Sequence, residues 1–413
     1  TPPLSAFENM LTATGEREIS TTMAFVRILS TLVRDKELGK YIVPIVPDEA
    51  RTFGMEGMFR QLGIYSSVGQ LYEPQDSDQV MFYKEQTDGQ ILEEGINEAG
   101  SFSSWVAAAT SYTVNGIQMI PFYIFYSMFG FQRIGDLAWA AGDSRARGFL
   151  LGATAGRTTL NGEGLQHEDG HSQLMAAMIP NCVSYDPTFA YELAVIMQDG
   201  LKRMIENQED VFYYITVMNE NYSHPEMPKG SEADIIKGMY SFSTSKIKGE
   251  KVQLMGSGVI LREVIEAQKI LESDYGVSAD VWSVTSFNEL RKDALEADRW
   301  NRMNPDKPQK ESHVVKMLKK AEGPIIASTD YMKSFAEQIA VFLPHKFVAL
   351  GTDGFGRSDS REKLRHFFEV DRHYVVVATL KALSDEGKIK SSVVTDAIKK
   401  FKLDPNKPNP VTQ

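Results

Sequence analysis

The sequence predicts an α/β protein of two three-layer domains, each with a parallel sheet between helices. Short apolar runs alternate with amphipathic segments along nearly the whole chain, the order that parallel-sheet units require. A Pro- and Gly-bearing stretch, Asn219 to Gly230 with Pro225 and Pro228, breaks that alternation and reads as a linker. Acids stand just after several apolar runs, where α/β sheets carry their ligand sites. These features divide the chain into a leader (1–18), a first domain (19–220), a linker (221–235) and a second domain (236–413).

Taken in order, Ser20 or Thr21 caps a helix running through Val33, and Tyr41–Val46 follows as a strand that Pro44 weakens. Further strands are expected at Met119–Tyr126, Phe149–Ala153, Cys182–Tyr185 and Val211–Met218. Helices near Asn97–Thr110, Gln132–Ala141 and Ala190–Glu206 separate them. The second domain begins with strand Val252–Met255 and helix Val259–Glu272, followed by strands Val281–Val284 and Ile325–Ala327. Helix Met332–Phe342, strand Phe347–Leu350 and helices around Tyr374–Ala382 and Val393–Lys400 complete it. No internal repeat or low-complexity tract appears.

With 413 residues, 42% hydrophobic and 24% charged, the chain has material for more than one core. A net charge of -11 argues against nucleic acid as a partner, and Lys316 to Lys320 reads as a solvated helix face. The single cysteine, Cys182, excludes a disulfide framework and fits a small buried hydrophobe in a reducing, cytoplasmic compartment. The most apolar stretch, Met119 to Phe131, is too short to span a membrane and contains Pro121. The chain opens at Thr1-Pro2-Pro3 without an initiator methionine or a signal peptide, which suggests processing or truncation.

His167-Glu168-Asp169-Gly170-His171 matches the zinc-protease pattern H-E-x-x-H, whose chemistry needs both imidazoles one turn apart on a helix. Here Gly162, Gly164 and Gly170 and the lack of an apolar stripe argue against a helix, so no metal ligand set is expected. What remains is a solvated polar loop or an active-site loop whose acids and imidazoles transfer protons. Gly256-Ser257-Gly258 stands between a strand and a helix, but Leu261 replaces the third glycine of a dinucleotide fingerprint, so a tight turn is expected. Gly351 to Gly356 lacks the Lys-Ser/Thr ending of a phosphate loop and reads as a turn.

Candidate chemistry lies in the first domain. Asp48-Glu49 follow the Tyr41–Val46 strand, and Glu98 precedes the apolar helix that holds Trp105. Alone, Glu98 is adequately explained as a first-turn acid favoured by the helix dipole. The run Phe122-Tyr123-Ile124-Phe125-Tyr126 followed by Phe129 is likewise adequately explained as a buried central strand and its turn.

Five stretches together carry more: Asp48 to Gly57, Ile91 to Gly100, Ile120 to Asp136, Arg157 to His171 and Leu350 to Ser360. Through them nearly the whole chain resembles the homodimeric pyruvate dehydrogenase E1 components, thiamine diphosphate enzymes of the transketolase-like superfamily. The resemblance implies the second and third of that family's domains: a pyrimidine-binding domain and a transketolase C-terminal-like domain with structural and dimer roles. The family's Gly-Asp-Gly plus Asn motif for magnesium and diphosphate is absent, implying a C-terminal half that is inactive alone. By resemblance, Glu98 is the proton shuttle against N1′ of the cofactor and Ile96 is the bulky residue that folds it. Phe129 stacks on the pyrimidine, Tyr126 stands beside the substrate, His167 and Glu163 face the reacting centre, and Asp48 and Glu49 are further proton carriers or loop anchors. The implied activity is decarboxylation of pyruvate and reductive acetylation of a lipoyl group on the E2 acetyltransferase. A related 2-oxo acid dehydrogenase, a transketolase with another substrate, and a non-catalytic dimerisation or docking fragment are the alternatives.

Overall fold

A computed structural model describes residues 1–413, which form two compact units. The first comprises Thr1–Ala155, Met175–Ser184 and Phe189–Met227, and the second Gly156–Leu174, Tyr185–Thr188 and Pro228–Gln413.

The first unit carries a six-stranded sheet in the order Leu92–Glu93, Ile42–Val46, Ile120–Tyr126, Phe149–Ala153, Phe212–Thr216, Cys182–Tyr185. The ladders from Leu92–Glu93 through Phe212–Thr216 are parallel. Strands buried on both faces read as continuous apolar runs, which is why Phe149–Ala153 and Cys182–Tyr185 fall at the expected residues. Pro44 is accommodated because pairing with Leu92–Glu93 begins only at Ile45, leaving Pro44 laddered on one side, to Phe122. Helix Thr21–Leu32 starts where Ser20 Oγ accepts the Met23 N–H. Helix Glu98–Ala109 is capped by Asn97, and its Phe102, Trp105 and Ala109 enter the core beside Tyr123, Phe125 and Tyr214. The Trp105 indole N–H donates to the Phe149 carbonyl at 3.1 Å, so its one polar atom is satisfied in the core.

The second unit has a five-stranded sheet ordered Phe347–Leu350, Ile325–Ser328, Lys251–Gly256, Ser278–Val284, Met239–Ser243. Four strands are parallel and the edge strand Met239–Ser243 is antiparallel, an element the sequence reading did not anticipate. The seventeen-residue helix Phe287–Met303 was also unforeseen. It is dominated by charged residues and buries a narrow stripe, Phe287, Leu290 and Ala294, at i, i+3, i+7 spacing. The expected helix Met332–Phe342 is instead a short helix Lys333–Glu337 and a 3₁₀ turn Ala340–Phe342. Gly256 must lack a side chain, since a Cβ there would stand 2.6 Å from the Leu261 backbone.

Segment boundaries differ from those drawn on the sequence. Residues 1–18 are not a free leader: Leu4–Phe7 and Glu8–Leu11 are helical and bury Phe7 and Met10, and Ile19 bridges Tyr222. Residues 156–174 cluster with the second unit because their polar groups are bonded there. Arg157 donates to the carbonyls of Thr352 and Gly354, and the Thr158 and Thr159 hydroxyls donate to Asp330 at 2.7 and 2.6 Å.

Candidate active site

Parallel strands point their carboxyl ends to one edge, and three adjacent strands of the first unit deliver the candidate residues there. Ile42–Val46 runs out into Asp48 and Glu49, Leu92–Glu93 into Ile96 and Glu98, and Ile120–Tyr126 ends on Tyr126, one turn before Phe129. Glu98 is the first residue of its helix, with a side chain only 13% exposed and its carboxylate paired to the Arg133 guanidinium. That guanidinium also lies over the Phe129 ring, 4.2 Å from its centroid. Tyr126 packs at a tilt against Phe53 at 5.2 Å and edge-to-face against Phe129 at 6.3 Å. Tyr123 donates its hydroxyl to the Glu98 carbonyl at 3.2 Å, fixing the helix start. Glu49 is exposed and accepts from the Thr52 hydroxyl at 3.0 Å, holding the turn after its strand. Ile96 is exposed, an apolar side chain presented to solvent by this unit.

Two further residues of this edge were not singled out from sequence. Arg133 escaped notice because it lies 35 residues beyond Glu98 on an amphipathic helix. Glu93 lies beside the Ala50 backbone, and burial pushes its carboxyl up to about 7, with Arg51 opposing. A half-buried acid titrating near neutrality is suited to proton exchange.

Glu163 and His167 belong to the second unit. His167 ends the 3₁₀ turn Leu165–His167, and its Nδ1 lies 3.9 Å from the Glu163 carboxylate. The backbone from 165 to 171 is a 3₁₀ turn followed by irregular chain, not the helix that zincin geometry requires. Two acids of this stretch are fully buried. Asp169 accepts the N–H groups of His171 and Ser172, both at 3.0 Å. Glu168 has both carboxylate oxygens buried without a hydrogen bond and packs against Gly356, where a Cβ would stand 2.5 Å from its own. Desolvation, with Asp330 adding to it and Arg157 opposing, raises the Glu168 carboxyl to about 9.

Residues 5–225 match the family described as pyruvate dehydrogenase E1 component middle domain, and residues 238–371 match the transketolase-like C-terminal domain. The chain belongs to the pyruvate dehydrogenase E1 component family. Proteins named pyruvate dehydrogenase E1 component from Pseudomonas aeruginosa and Escherichia coli K12 are 68% and 60% identical to it over 412 and 396 residues. Those alignments cover 99% and 95% of this chain but 47% and 44% of the relatives. The chain thus spans about half the length of the curated relatives it matches. Among solved structures, transketolase from Campylobacter jejuni superposes with a TM-score of 0.66 at 15% identity, over 91% of this chain and 49% of that one. A split-gene transketolase, described as an inactive beta4 tetramer, gives 0.57 at 16% identity over 89% and 98%. These structures share the two-domain α/β fold of this E1-family chain.

Proposed function

We propose that this chain is the pyrimidine-binding and C-terminal part of an E1 component that decarboxylates pyruvate and reductively acetylates the lipoyl group of the E2 acetyltransferase. The reading places it in a cytoplasmic homodimer using thiamine diphosphate and Mg2+, with the metal ligands outside this chain. One observation carries it: three adjacent strand ends gather Asp48 and Glu49, Glu98, and Tyr126 with Phe129 on one sheet edge. The edge suits an aminopyrimidine. Arg133 already shows a planar cation pairing with Glu98 while covering the Phe129 face, the two contacts a protonated pyrimidine ring would make.

Thiamine diphosphate supplies the carbanion chemistry that releases carbon dioxide from a 2-oxo acid. Glu98 holds and moves a proton at its carboxylate oxygen, and its shelter from solvent keeps that proton from exchanging freely with water. Phe129 offers an aromatic face, Ile96 apolar bulk, and Tyr126 a hydroxyl beside them. Glu93, Asp48 and Glu49 provide further carboxylates for proton exchange along the same edge. His167, with the Glu163 carboxylate 3.9 Å away, is assigned the proton that a leaving thiolate requires when the lipoyl disulfide opens, since an imidazole exchanges protons readily near neutral pH.

Two outcomes test this reading. This polypeptide alone should bind thiamine diphosphate with magnesium weakly, because the diphosphate charge needs a metal site that the chain lacks. Tight magnesium-dependent binding in a calorimeter would place the diphosphate site within these residues. In the complete enzyme, His167→Ala should impair lipoyl acetylation more than decarboxylation measured with an artificial electron acceptor. Equal losses would assign His167 to pyruvate binding or early proton transfer, and no loss would make the loop structural.

A further inference from the structure

One cavity in the first unit is built on arginine. It has a volume of about 560 Å³ and is bounded by Arg17, Arg27 and Arg34, with Ser30, Phe7 and Met10 among its other walls. Arg27 and Ser30 lie on helix Thr21–Leu32, and Arg34 follows two residues beyond its end. The +3 spacing puts Ser30 on the same helix face as Arg27, and Arg34 stands in the turn that follows the helix. Arg17 reaches in from the chain ahead of that helix. No Asp or Glu lines the cavity, although the chain carries eleven more acids than bases (55 against 44). Arg27 is half-buried, and both its burial and the neighbouring charge of Arg17 push its pKa down. Two guanidinium groups brought together without a carboxylate are mutually repulsive, and such an arrangement is relieved when an anion enters between them.

The chemistry of the walls narrows the anion. Guanidinium groups present forked donors that match the oxygens of phosphate, and the Ser30 hydroxyl adds a further donor. The volume lies in the range of small-molecule sites and exceeds what a bare oxyanion fills. Buried Phe7 and Met10 give the rest of the cavity an apolar floor for an organic body. We propose that the cavity between Arg17, Arg27 and Arg34 binds the phosphoryl group of a small organic phosphate. The proposal rests on the first unit alone and is independent of the catalytic reading above.

The test uses the complete enzyme saturated with thiamine diphosphate, so that the cofactor site cannot take the probe. Inorganic pyrophosphate is titrated calorimetrically at constant free magnesium into the wild type, Arg27→Met, Arg27→Lys and Arg34→Met. The wild type should show saturable binding that weakens between 50 and 200 mM salt, because the contact is ionic. Each methionine variant should lose about tenfold or more in affinity, the worth of a charge-assisted hydrogen-bond pair. Arg27→Lys should fall between, since it keeps the charge and loses the fork. Thermal melts and decarboxylation should stay at wild-type values, because these side chains stand at a cavity and not in the core. Absence of saturable binding to the wild type would overturn the proposal, as it would if an acidic segment of the remaining chain fills the cavity. Equal affinity in all four proteins would overturn it as well.

Discussion

Glu98→Ala in the complete enzyme should slow pyruvate decarboxylation by about 10²–10⁴-fold, the range that a positioned acid–base group contributes. The fold should survive. Glu98 stands in the first turn of its helix, where the dipole interaction lost is about 0.3–1 kcal/mol, and the Asn97 cap remains. Arg133 loses its ion-pair partner but is itself about half exposed, so water can solvate it. The informative measurement is single-turnover decarboxylation together with a thermal melt. Near-normal turnover with an unchanged melt would remove Glu98 from the proton-transfer machinery, and a collapsed melt would make its role structural.

The second large effect is on stability and depends on pH. Glu168 has its carboxyl raised to about 9 in the folded protein, while a free glutamic acid titrates near 4.3. Below the lower value both folded and unfolded chains hold the proton, and Glu168 is neutral toward pH. Between the two values only the folded chain holds it, so stability falls as pH rises through that window and levels off above the folded value. Glu168→Gln mimics the protonated acid at every pH. It should match the wild type below about pH 4 and be more stable near pH 8, by a gap that grows by at most about 1.4 kcal/mol per pH unit across the window. In a melt this is a gap that opens with pH. A gap that does not change between pH 5 and pH 8 would show Glu168 ionised in the folded chain.

Parts of this fold were legible in the sequence for definite reasons. Phe149–Ala153 and Cys182–Tyr185 are short apolar runs between breakers, and buried strands are written that way; Phe347–Leu350 is an equally apolar run although it is a half-buried edge strand. Leu92–Glu93 is a two-residue edge strand within a polar stretch, and Met239–Ser243 follows a Pro/Gly-rich segment, so neither has a pattern to detect. Phe287–Met303 shows what a narrow buried stripe does to a periodicity reading, since three apolar contacts sit among charges. Asp48, Glu49, Tyr126 and Phe129 could be placed at strand ends because they follow or close apolar runs, whereas Glu98 was legible only as the start of a helix. Their partners could not. The pairing of Glu98 with Arg133, and the burial that shifts Glu93 and Glu168, depend on neighbours brought close only by the folded chain.

The interleaving of the two units along the chain bears on how the second one is made. Thr158 emerges from the ribosome 172 residues before Asp330, the carboxylate that accepts its hydroxyl and its N–H. Until that distant residue is synthesised, the 156–174 segment has no acceptor for these donors, and Glu168 lacks Gly356, against which it packs. Closing a loop of that length is costly and slow compared with local helix formation. A nascent chain halted before residue 330 should therefore expose 156–174 to protease while the first sheet is already protected. A nick introduced between 219 and 230 after folding should leave this segment as resistant as in the intact protein.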